Sequence, residues 1–487
     1  MIEKIKELSK DTVIYGISTI VGRFLSFLLI PLYTNLFLPD EFGIYTTIYA
    51  YLSFLSILYV YGMDAAFMKF TSLAEEREKT DTYSTPFLAV ISTTIVLSVI
   101  LFISRNHILG AIDIPVIYSS IVIYVLFILI LDTLALIPFA NLRLERKAKK
   151  FASIKLMNIF INLALNLYLI VYLRLGIEAI FISNMIASAV TLLILLPDIF
   201  SHLKLKINFY YLKKMLWFAL PYIPGSLAAM LVQLIDVPIV RALTNDATLG
   251  IYRANYKLGI FMMLFVSMFN FAWQPFFLTN AKTENAKEIF SKVLTLTLIV
   301  MTALWVILSL FIEDIASFEF YNGKTIIGKD YLVGIGIVPV ILLSYIFYGL
   351  YVNFTAGIYI KEKTKYFPLV TGSAAVVNVV SNFILVPKYG IMGAAFSTLV
   401  SYVVMSAGLF FFSQRFYKIN YEYSKIMRIF LLIVLVSVCY YYFYSNKMLY
   451  LQVKLFMLFG FFILFFALRI VRKKEIQVIL NSFIKKK

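Results

Sequence analysis

The sequence has 487 residues, of which 62% are hydrophobic and only 14% are charged. A water-soluble chain of this length cannot bury so much apolar surface, so the composition excludes a soluble globular protein and predicts an all-α polytopic membrane protein. The single cysteine excludes an internal disulfide. The two histidines argue against a histidine-based metal or catalytic site.

Fourteen apolar stretches are each close to the ~20 residues that a helix needs to cross a bilayer. They predict about 14 transmembrane helices, numbered here as spans 1 to 14, at 12–38, 44–67, 84–104, 115–140, 151–173, 177–199, 215–241, 249–278, 290–312, 331–358, 367–386, 391–413, 426–444 and 449–471.

The connections between the spans alternate between basic and nearly neutral. The basic set begins with "MIEKIKELSK" and ends with the tail "RIVRKKEIQVILNSFIKKK", and it holds 33 of the 44 Lys and Arg residues. Because cytoplasmic loops carry an excess of Lys and Arg, this set and both termini are predicted to be cytoplasmic. The net charge of +18 therefore reports topology and says little about a substrate.

Two short patterns occur twice. "LPDEFGIYTTIYAY", from Leu38, aligns with "TNDATLGIYRANYKL", from Thr244, through a shared Gly-Ile-Tyr; Asn-x-x-x-Asn occurs at Asn162 and again at Asn378. We therefore predict two parallel six-helix copies that bind substrate between them. The predicted division is an N-lobe at 1–205 (spans 1–6), a C-lobe at 206–415 (spans 7–12), and spans 13–14 with the basic tail at 416–487.

Three cations belong to neither set of connections and lie well inside predicted spans: Arg23, Arg253 and Lys257. Arg23 is about 18 Å from the start of span 1 by helical rise, close to the bilayer midplane. A cation at this depth needs either an aqueous cavity or an ion pair with an intramembrane aspartate, and the same two readings apply to Lys257. Arg253 is nearer the surface, so it either faces the cavity or extends its side chain to the interface.

Asp64, Asp132 and Asp236 are the acidic residues predicted to be buried within spans. We expect them to pair with the cations; coupling of transport to H⁺, Na⁺ or the membrane potential is the alternative role.

Helix breakers cluster in span 7, whose segment "FALPYIPGSLAAMLVQLIDVPIV" contains three prolines, and Gly16, Gly22 and Pro31 are their counterparts in span 1. These residues predict kinks that serve either bending or irregular packing.

These features together resemble a known family. The "GR" in mid span 1, "LPDEFGIY", "TNDATLGIYRANYKLG" and "NVVSNFILVPKYGIMGAAFSTLVSY" in spans 11–12 resemble the Wzx-type flippases for lipid-linked oligosaccharides, which belong to the multidrug/oligosaccharidyl-lipid/polysaccharide exporter superfamily. The resemblance covers essentially the whole chain.

The resemblance implies a V-shaped bundle of two six-helix lobes plus two extra C-terminal helices. It implies transfer of an undecaprenyl-diphosphate-linked oligosaccharide from the cytoplasmic to the periplasmic leaflet, for O-antigen, capsule or exopolysaccharide synthesis. Partners would be this glycan lipid, the bilayer and a polysaccharide polymerase with its chain-length machinery, with no nucleic acid and no cofactor.

By the same resemblance, Arg23, Arg253 and Lys257 would bind the diphosphate and glycan in a central cavity. Arginine offers bidentate contacts to phosphate, and lysine acts as a point charge. Tyr45, Tyr49, Tyr252 and Tyr256 are candidate sugar contacts, although tyrosines near an interface are commonly belt residues.

Two other functions compete with this one. A drug or small-cation antiporter of the same superfamily would prefer an acidic cavity, whereas the three intramembrane cations favour an anionic substrate. A membrane glycosyltransferase or polymerase could use Asp40 and Glu41, but the longest outer connection is short, and these acids suit the start of span 2. We therefore expect no enzymatic activity.

Overall fold

The computed structural model describes residues 16–470, and these are almost entirely helical. The first helix occupies 16–27. The others are Leu29–Leu36, Pro39–Val60, Met63–Leu73, Lys79–Ala111, Ser119–Leu134, Leu136–Leu144, Ala148–Asn166, Glu178–His202, Phe209–Ala219, Tyr222–Leu234, Asp236–Leu243, Asp246–Tyr256, Ile260–Asn280, Ala286–Ala316, Val338–Ile360, Tyr366–Phe416, Tyr423–Ser445 and Leu451–Ala467.

Shorter elements join these helices. The 3₁₀ segments are Glu76–Glu78, Val116–Tyr118, Lys257–Gly259 and Lys329–Ile337, and a π-helical segment covers Leu167–Tyr172. A small antiparallel hairpin pairs Glu319–Tyr321 with Lys324–Thr325.

Twelve helical segments among the described residues are long and apolar enough to cross a membrane. The longest, Tyr366–Phe416, consists of two helices that meet at Gly390, where φ is 55°. Leu451–Ala467 is apolar but has only 17 residues. The all-α polytopic class is thus confirmed, while the number of fourteen spans stays a prediction, and the tail beyond Ile470 lies outside the described residues.

Side-chain contacts define two ends of the bundle. The end that carries the connection between spans 1 and 2 is called the loop-1 end. There the alternate connections touch one another, through the hydrogen bonds Asn35–Thr325 (2.6 Å), Ser120–Glu178 (2.5 Å) and Arg241–Asp113 (2.7 Å). The connections that follow spans 2, 4 and 6 lie at the opposite end, where Lys150 bonds to Asp198 (2.6 Å) and Asn208 to Asp81 (2.9 Å).

Spans 1 and 7 break at equivalent places. Span 1 is interrupted at Leu28 and span 7 at Ile235, and each break is followed by a helix of eight residues, Leu29–Leu36 or Asp236–Leu243. Proline is the third residue of both helices, where its missing N–H removes no intrahelical bond. The predicted kinks are therefore present and occupy matching positions in the two copies.

The paired asparagines form the same hydrogen bonds in both copies. The Asn166 amide donates to the carbonyl and side-chain oxygens of Asn162, at 2.8 and 2.9 Å. The Asn382 amide does the same to Asn378, at 2.9 and 2.5 Å. The Asn-x-x-x-Asn part of the repeat thus forms the same local structure twice, while the division into two six-helix copies stays a prediction.

The two copies meet where the repeated Gly-Ile-Tyr begins. A Cβ placed on Gly43 would lie 2.0 Å from the carbonyl oxygen of Asp246, and one on Gly250 would lie 1.8 Å from that of Pro39. Only glycine permits such a backbone approach between helices. These contacts hold the loop-1 end together.

Span 7 packs against both halves of the chain. Its first helix, Phe209–Ala219, buries Met215 and Ala219 in an apolar cluster otherwise formed by residues 61–199. The two later helices of span 7 pack against the helix Tyr366–Phe416 and also contact span 2 of the first half. The predicted division at 205/206 stays a prediction, since span 7 contacts both halves of the chain.

Candidate substrate cavity

A cavity of about 720 Å³ lies between the two copies. Spans 1 and 8 supply most of its walls. Its lining includes Ser18, Thr19, Arg23, Ser26, Phe27, Phe151, Lys155, Gln233, Arg253, Tyr256, Lys257, Ser267, Asn270, Phe271, Tyr345, Tyr348 and Tyr402.

Arg23 joins span 1 to span 8 across the cavity. Its guanidinium is exposed, and Nη1 donates a hydrogen bond of 2.8 Å to Ser267 Oγ. Seven residues earlier in span 1, Gly16 packs on the ring of Phe271, where a Cβ would come within 3.2 Å. The structure thus places Arg23 in a polar cavity and gives it no carboxylate partner among the described residues.

Span 8 changes its helical geometry at Lys257. The α-helix Asp246–Tyr256 is followed by a 3₁₀ turn at Lys257–Gly259, after which the α-helix resumes. Gly259 packs tightly on span 10, since a Cβ there would lie 2.9 Å from Tyr345 and from Ile341. Short 3₁₀ interruptions within helices often mark functional positions. Lys257 is exposed at this interruption.

Arg253 is buried in an ion pair. Its side chain and that of Asp236 are only 7% and 3% exposed, and Nη1 lies 3.3 Å from Asp236 Oδ2. The Tyr252 hydroxyl donates to the same oxygen at 2.7 Å, and the guanidinium lies 4.7 Å from the Tyr256 ring centre. Of the two readings of Arg253, extension to the interface is therefore wrong, because its charge is held inside, at the cavity wall.

This ion pair leaves polar atoms without partners. Within residues 16–470, neither Asp236 Oδ1 nor Arg253 Nε has a hydrogen-bond partner. A buried pair that lacks such bonds recovers less of its desolvation cost. The pair is thus held in place by the surrounding packing as well as by its own attraction.

A fourth cation, Lys155, also lines the cavity. It lies seven residues into the helix Ala148–Asn166, about 10 Å from its start by helical rise. Its Nζ is 4.3 Å from the centre of the Phe139 ring. The charge count assigns Lys155 to the basic connection before span 5, although it falls within the predicted bounds of that span.

The acidic side chains lie outside the cavity. Asp64 is 3.8 Å from Arg143, near the opposite end, and Asp132 interacts with Lys155 and Ser188. Of the three aspartates, Asp236 is the one that pairs with a predicted intramembrane cation. The expected pairing is therefore wrong for Asp64 and Asp132.

Glu41 accepts a hydrogen bond of 2.9 Å from Leu38 N–H at the start of span 2, as its predicted helix-start role requires.

A smaller cavity of about 300 Å³ adjoins the first. It is lined mainly by Ser26, Tyr33, Tyr45, Tyr49, Asn158, Asn162, Asn184 and Lys257. Lys257 and Ser26 line both cavities, so the two are neighbours.

The four candidate tyrosines have different environments. Tyr45 and Tyr49 are half-buried and line the small cavity, with ring centres 4.9 Å apart. Tyr256 lines the large cavity. Tyr252 is fully buried and its hydroxyl is bound to Asp236. The prediction of a sugar contact is therefore wrong for Tyr252, whose role is to support the ion pair.

The described residues that line the two cavities include cationic side chains and no acidic ones. Four cationic side chains line the large cavity, and among its described lining residues there is no Asp or Glu. Because field lines concentrate in such a low-dielectric cleft, the cavity attracts anions.

Comparison with known proteins adds the family and the fold. Residues 34–277, half of the chain, match the model of the family described as polysaccharide biosynthesis protein. No curated protein matches the chain.

Several solved structures share the fold. The structure of the lipid II flippase MurJ in an inward closed conformation matches with a TM-score of 0.75 at 16% identity, covering 93% of this chain and 98% of that one. An inward-facing multidrug resistance MATE family transporter of the MOP superfamily matches with 0.67 at 11% identity, covering 81% and 94%. The Vibrio cholerae MATE transporter VcmN, as a D35N mutant, matches with 0.52 at 11% identity, covering 85% and 96%. The chain belongs to the polysaccharide biosynthesis protein family, as its sequence resemblance predicted, and it adopts the all-α fold that transporters of the MOP superfamily share.

Proposed function

We propose that the protein is a flippase that moves an undecaprenyl-diphosphate-linked oligosaccharide across the bacterial inner membrane for surface polysaccharide synthesis. Its head group passes through the cationic cavity by alternating access while the lipid tail stays in the bilayer. Both termini face the cytoplasm, and the loop-1 end faces the periplasm.

One observation carries this proposal: Arg23, Lys155, Arg253 and Lys257 line a cavity that has no carboxylate among its described lining residues. A diphosphate carries at least two negative charges, and moving it through hydrocarbon is prohibitive without cations and water. Arg23, Lys155 and Lys257 are the exposed members of this set. Lys155 also interacts with Asp132, so Arg23 and Lys257 are the primary diphosphate contacts. Arg253, neutralised by Asp236, contributes chiefly to the shape and potential of the wall.

The same charge pattern disfavours a drug antiporter for organic cations. A cationic drug in this cavity would meet Arg23 and Lys257, which form no ion pair with a carboxylate among the described residues. Like-charge juxtaposition costs several kcal/mol at close range. The likeness to MATE transporters supports a shared fold and leaves the substrate open.

Binding of undecaprenyl diphosphate to the purified full-length protein tests the proposal. We expect Arg23→Gln and Lys257→Met each to weaken binding about ten- to a hundredfold, because a hydrogen bond to a charged group contributes about 1.5–3 kcal/mol. Arg23→Lys retains the charge and should lose less.

Arg105→Gln is the matched control, since Arg105 is a cation of the first half that lies outside both cavities. It should bind like the wild type. In a strain that lacks the native gene, the two cavity variants should also reduce surface polysaccharide at matched protein level. Unchanged diphosphate binding in both cavity variants, together with tight binding of the organic cation ethidium, would instead identify an antiporter.

A further inference from the structure

The small cavity differs in chemistry from the large one. Three asparagines and three tyrosines supply most of its polar lining, and Lys257 is its single cation among the described residues. Its volume of about 300 Å³ is at the lower end of the range of about 300–1,000 Å³ for ligand sites. It therefore suits one sugar ring rather than a whole oligosaccharide.

In each of the three asparagines, one polar atom of the side-chain amide forms a hydrogen bond within the protein. Asn158 Nδ2 donates to Thr191 Oγ1 at 2.9 Å, Asn162 Oδ1 accepts from Asn166 at 2.9 Å, and Asn184 Nδ2 donates to the Tyr49 hydroxyl at 2.9 Å. The other amide ends, Asn158 Oδ1, Asn162 Nδ2 and Asn184 Oδ1, have no partner within residues 16–470. The cavity thus offers two fixed acceptors and one fixed donor.

These groups match the substituents of a neutral sugar. Hydroxyl groups both donate and accept hydrogen bonds, and an acetamido group offers one donor and one acceptor. The ring of Tyr49 is itself fixed by stacking on Phe181, with centres 5.0 Å apart and planes 28° apart. A site whose polar groups are already oriented loses little entropy on binding.

The position of Lys257 determines which part of the ligand would lie in each of the two cavities. Its side chain lines both of them, so a phosphate bound there lies at the junction. In a diphosphate-linked glycan, the sugar next to the phosphate is the one within reach of the small cavity. The rest of the glycan then extends into the large cavity.

We propose that the small cavity is a specificity site for the neutral sugar attached directly to the diphosphate, with Asn158, Asn162 and Asn184 as its hydrogen-bonding residues. This inference rests on the proposed function. It assigns recognition of the first sugar to the amides and recognition of charge to Arg23 and Lys257.

The experiment compares three probes on the purified full-length protein: undecaprenyl diphosphate, the same lipid bearing N-acetylglucosamine, and the same lipid bearing glucose. We expect at least one sugar-bearing probe to bind about tenfold more tightly than the bare diphosphate, equivalent to about 1.4 kcal/mol. Asn158→Leu and Asn184→Leu, which keep the side-chain size, should remove this gain and leave binding of the bare diphosphate unchanged. Asn106→Leu, at an exposed asparagine of the helix Lys79–Ala111 outside both cavities, should change neither.

The outcomes separate the two proposals. Equal binding of all three probes by the wild type, or an equal loss for every probe in the asparagine variants, overturns the sugar site and leaves the flippase standing. Bare diphosphate binding that is insensitive to both Arg23→Gln and Lys257→Met overturns the proposed function itself. Unchanged sugar preference in Asn158→Leu and Asn184→Leu also overturns the assignment of the amides.

Discussion

Arg253 and Asp236 show how a membrane protein can hold a charge near its substrate path without exposing it. Each ion loses hydration on burial, and their attraction repays this only in part where hydrogen bonds are lacking. Removing one partner leaves the other charge uncompensated, which is much more costly than removing both. The pair is thus a local constraint on how spans 7 and 8 pack.

We therefore expect Asp236→Asn and Arg253→Met each to destabilise the protein by about 3–5 kcal/mol, seen as a lower thermal transition in detergent. The double variant should recover much of this loss. Glu288→Gln is the control, because its ion pair with Lys292 is largely exposed and its loss should leave the transition in place. Single variants as stable as the wild type would contradict the uncompensated-charge argument.

At the scale of residues, the sequence shows which cations lie outside the basic connections. It does not show which residues each of these cations contacts. Arg23 and Lys257 stand out because they lie deep within spans, and both line the cavity. Lys155 lies only four residues after the predicted start of span 5 and is next to a basic run, so a charge count hides it. The burial of Arg253 depends on Asp236 of another span, a contact that no spacing within one helix indicates.

At the scale of elements, proline marks where the broken helices resume. Pro31, Pro224 and Pro238 are each the third residue of a helix that follows an interruption in span 1 or span 7. The sequence predicts these kinks from the positions of the prolines alone. It does not predict that the first helix of span 7 packs on the first half of the chain, since that depends on tertiary contacts of Met215 and Ala219.

Gly43 and Gly250 allow spans 2 and 8 to touch through their backbones. We expect Gly43→Ala to force these helices apart, since its Cβ would lie 2.0 Å from Asp246 O, at a cost of about 1–3 kcal/mol typical of overpacking. Spin labels at Val116→Cys and Val333→Cys, both exposed, in a Cys439→Ala background should report a longer distance.

Gly372→Ala is the matched control for this prediction. Gly372 is also helical, and a Cβ there would meet nothing within 4 Å. It should leave the label distance unchanged. An unchanged distance in Gly43→Ala as well would mean that the contact does not set the separation of the two helices.

At the scale of the whole molecule, the loop-1 end is the more extensively cross-linked between the copies. Arg241 binds Asp246 at 2.5 Å and also donates to the carbonyls of Ile112 and Asp113, which belong to the first half. Asn35 and Thr325 add reciprocal hydrogen bonds. The cavity lies on the other side of these contacts, lined by residues as near the opposite end as Ser18.

The predicted orientation can be tested through cysteine accessibility in intact cells. In a Cys439→Ala background, Asn322→Cys in the hairpin at the loop-1 end should react with a membrane-impermeant thiol reagent. Glu284→Cys, in the connection between spans 8 and 9 at the opposite end, should react only after permeabilisation. The reverse pattern would invert the topology and with it the proposed direction of transport.

The reciprocal contact at the loop-1 end has a consequence for asymmetry. Pro39 and Asp246 occupy equivalent positions in the two repeats, as do Gly43 and Gly250, and each glycine meets the carbonyl of the other copy's residue. This is the geometry of a two-fold interface between identical subunits, in which any substitution is made twice. If the two copies were separate identical subunits, a cation at the position of Arg253 would be present in both, and the two like charges would face each other across the axis. Within one continuous chain the constraint disappears, so Thr46 and Ala50 can stay uncharged while the equivalent positions of the second copy carry Arg253 and Lys257.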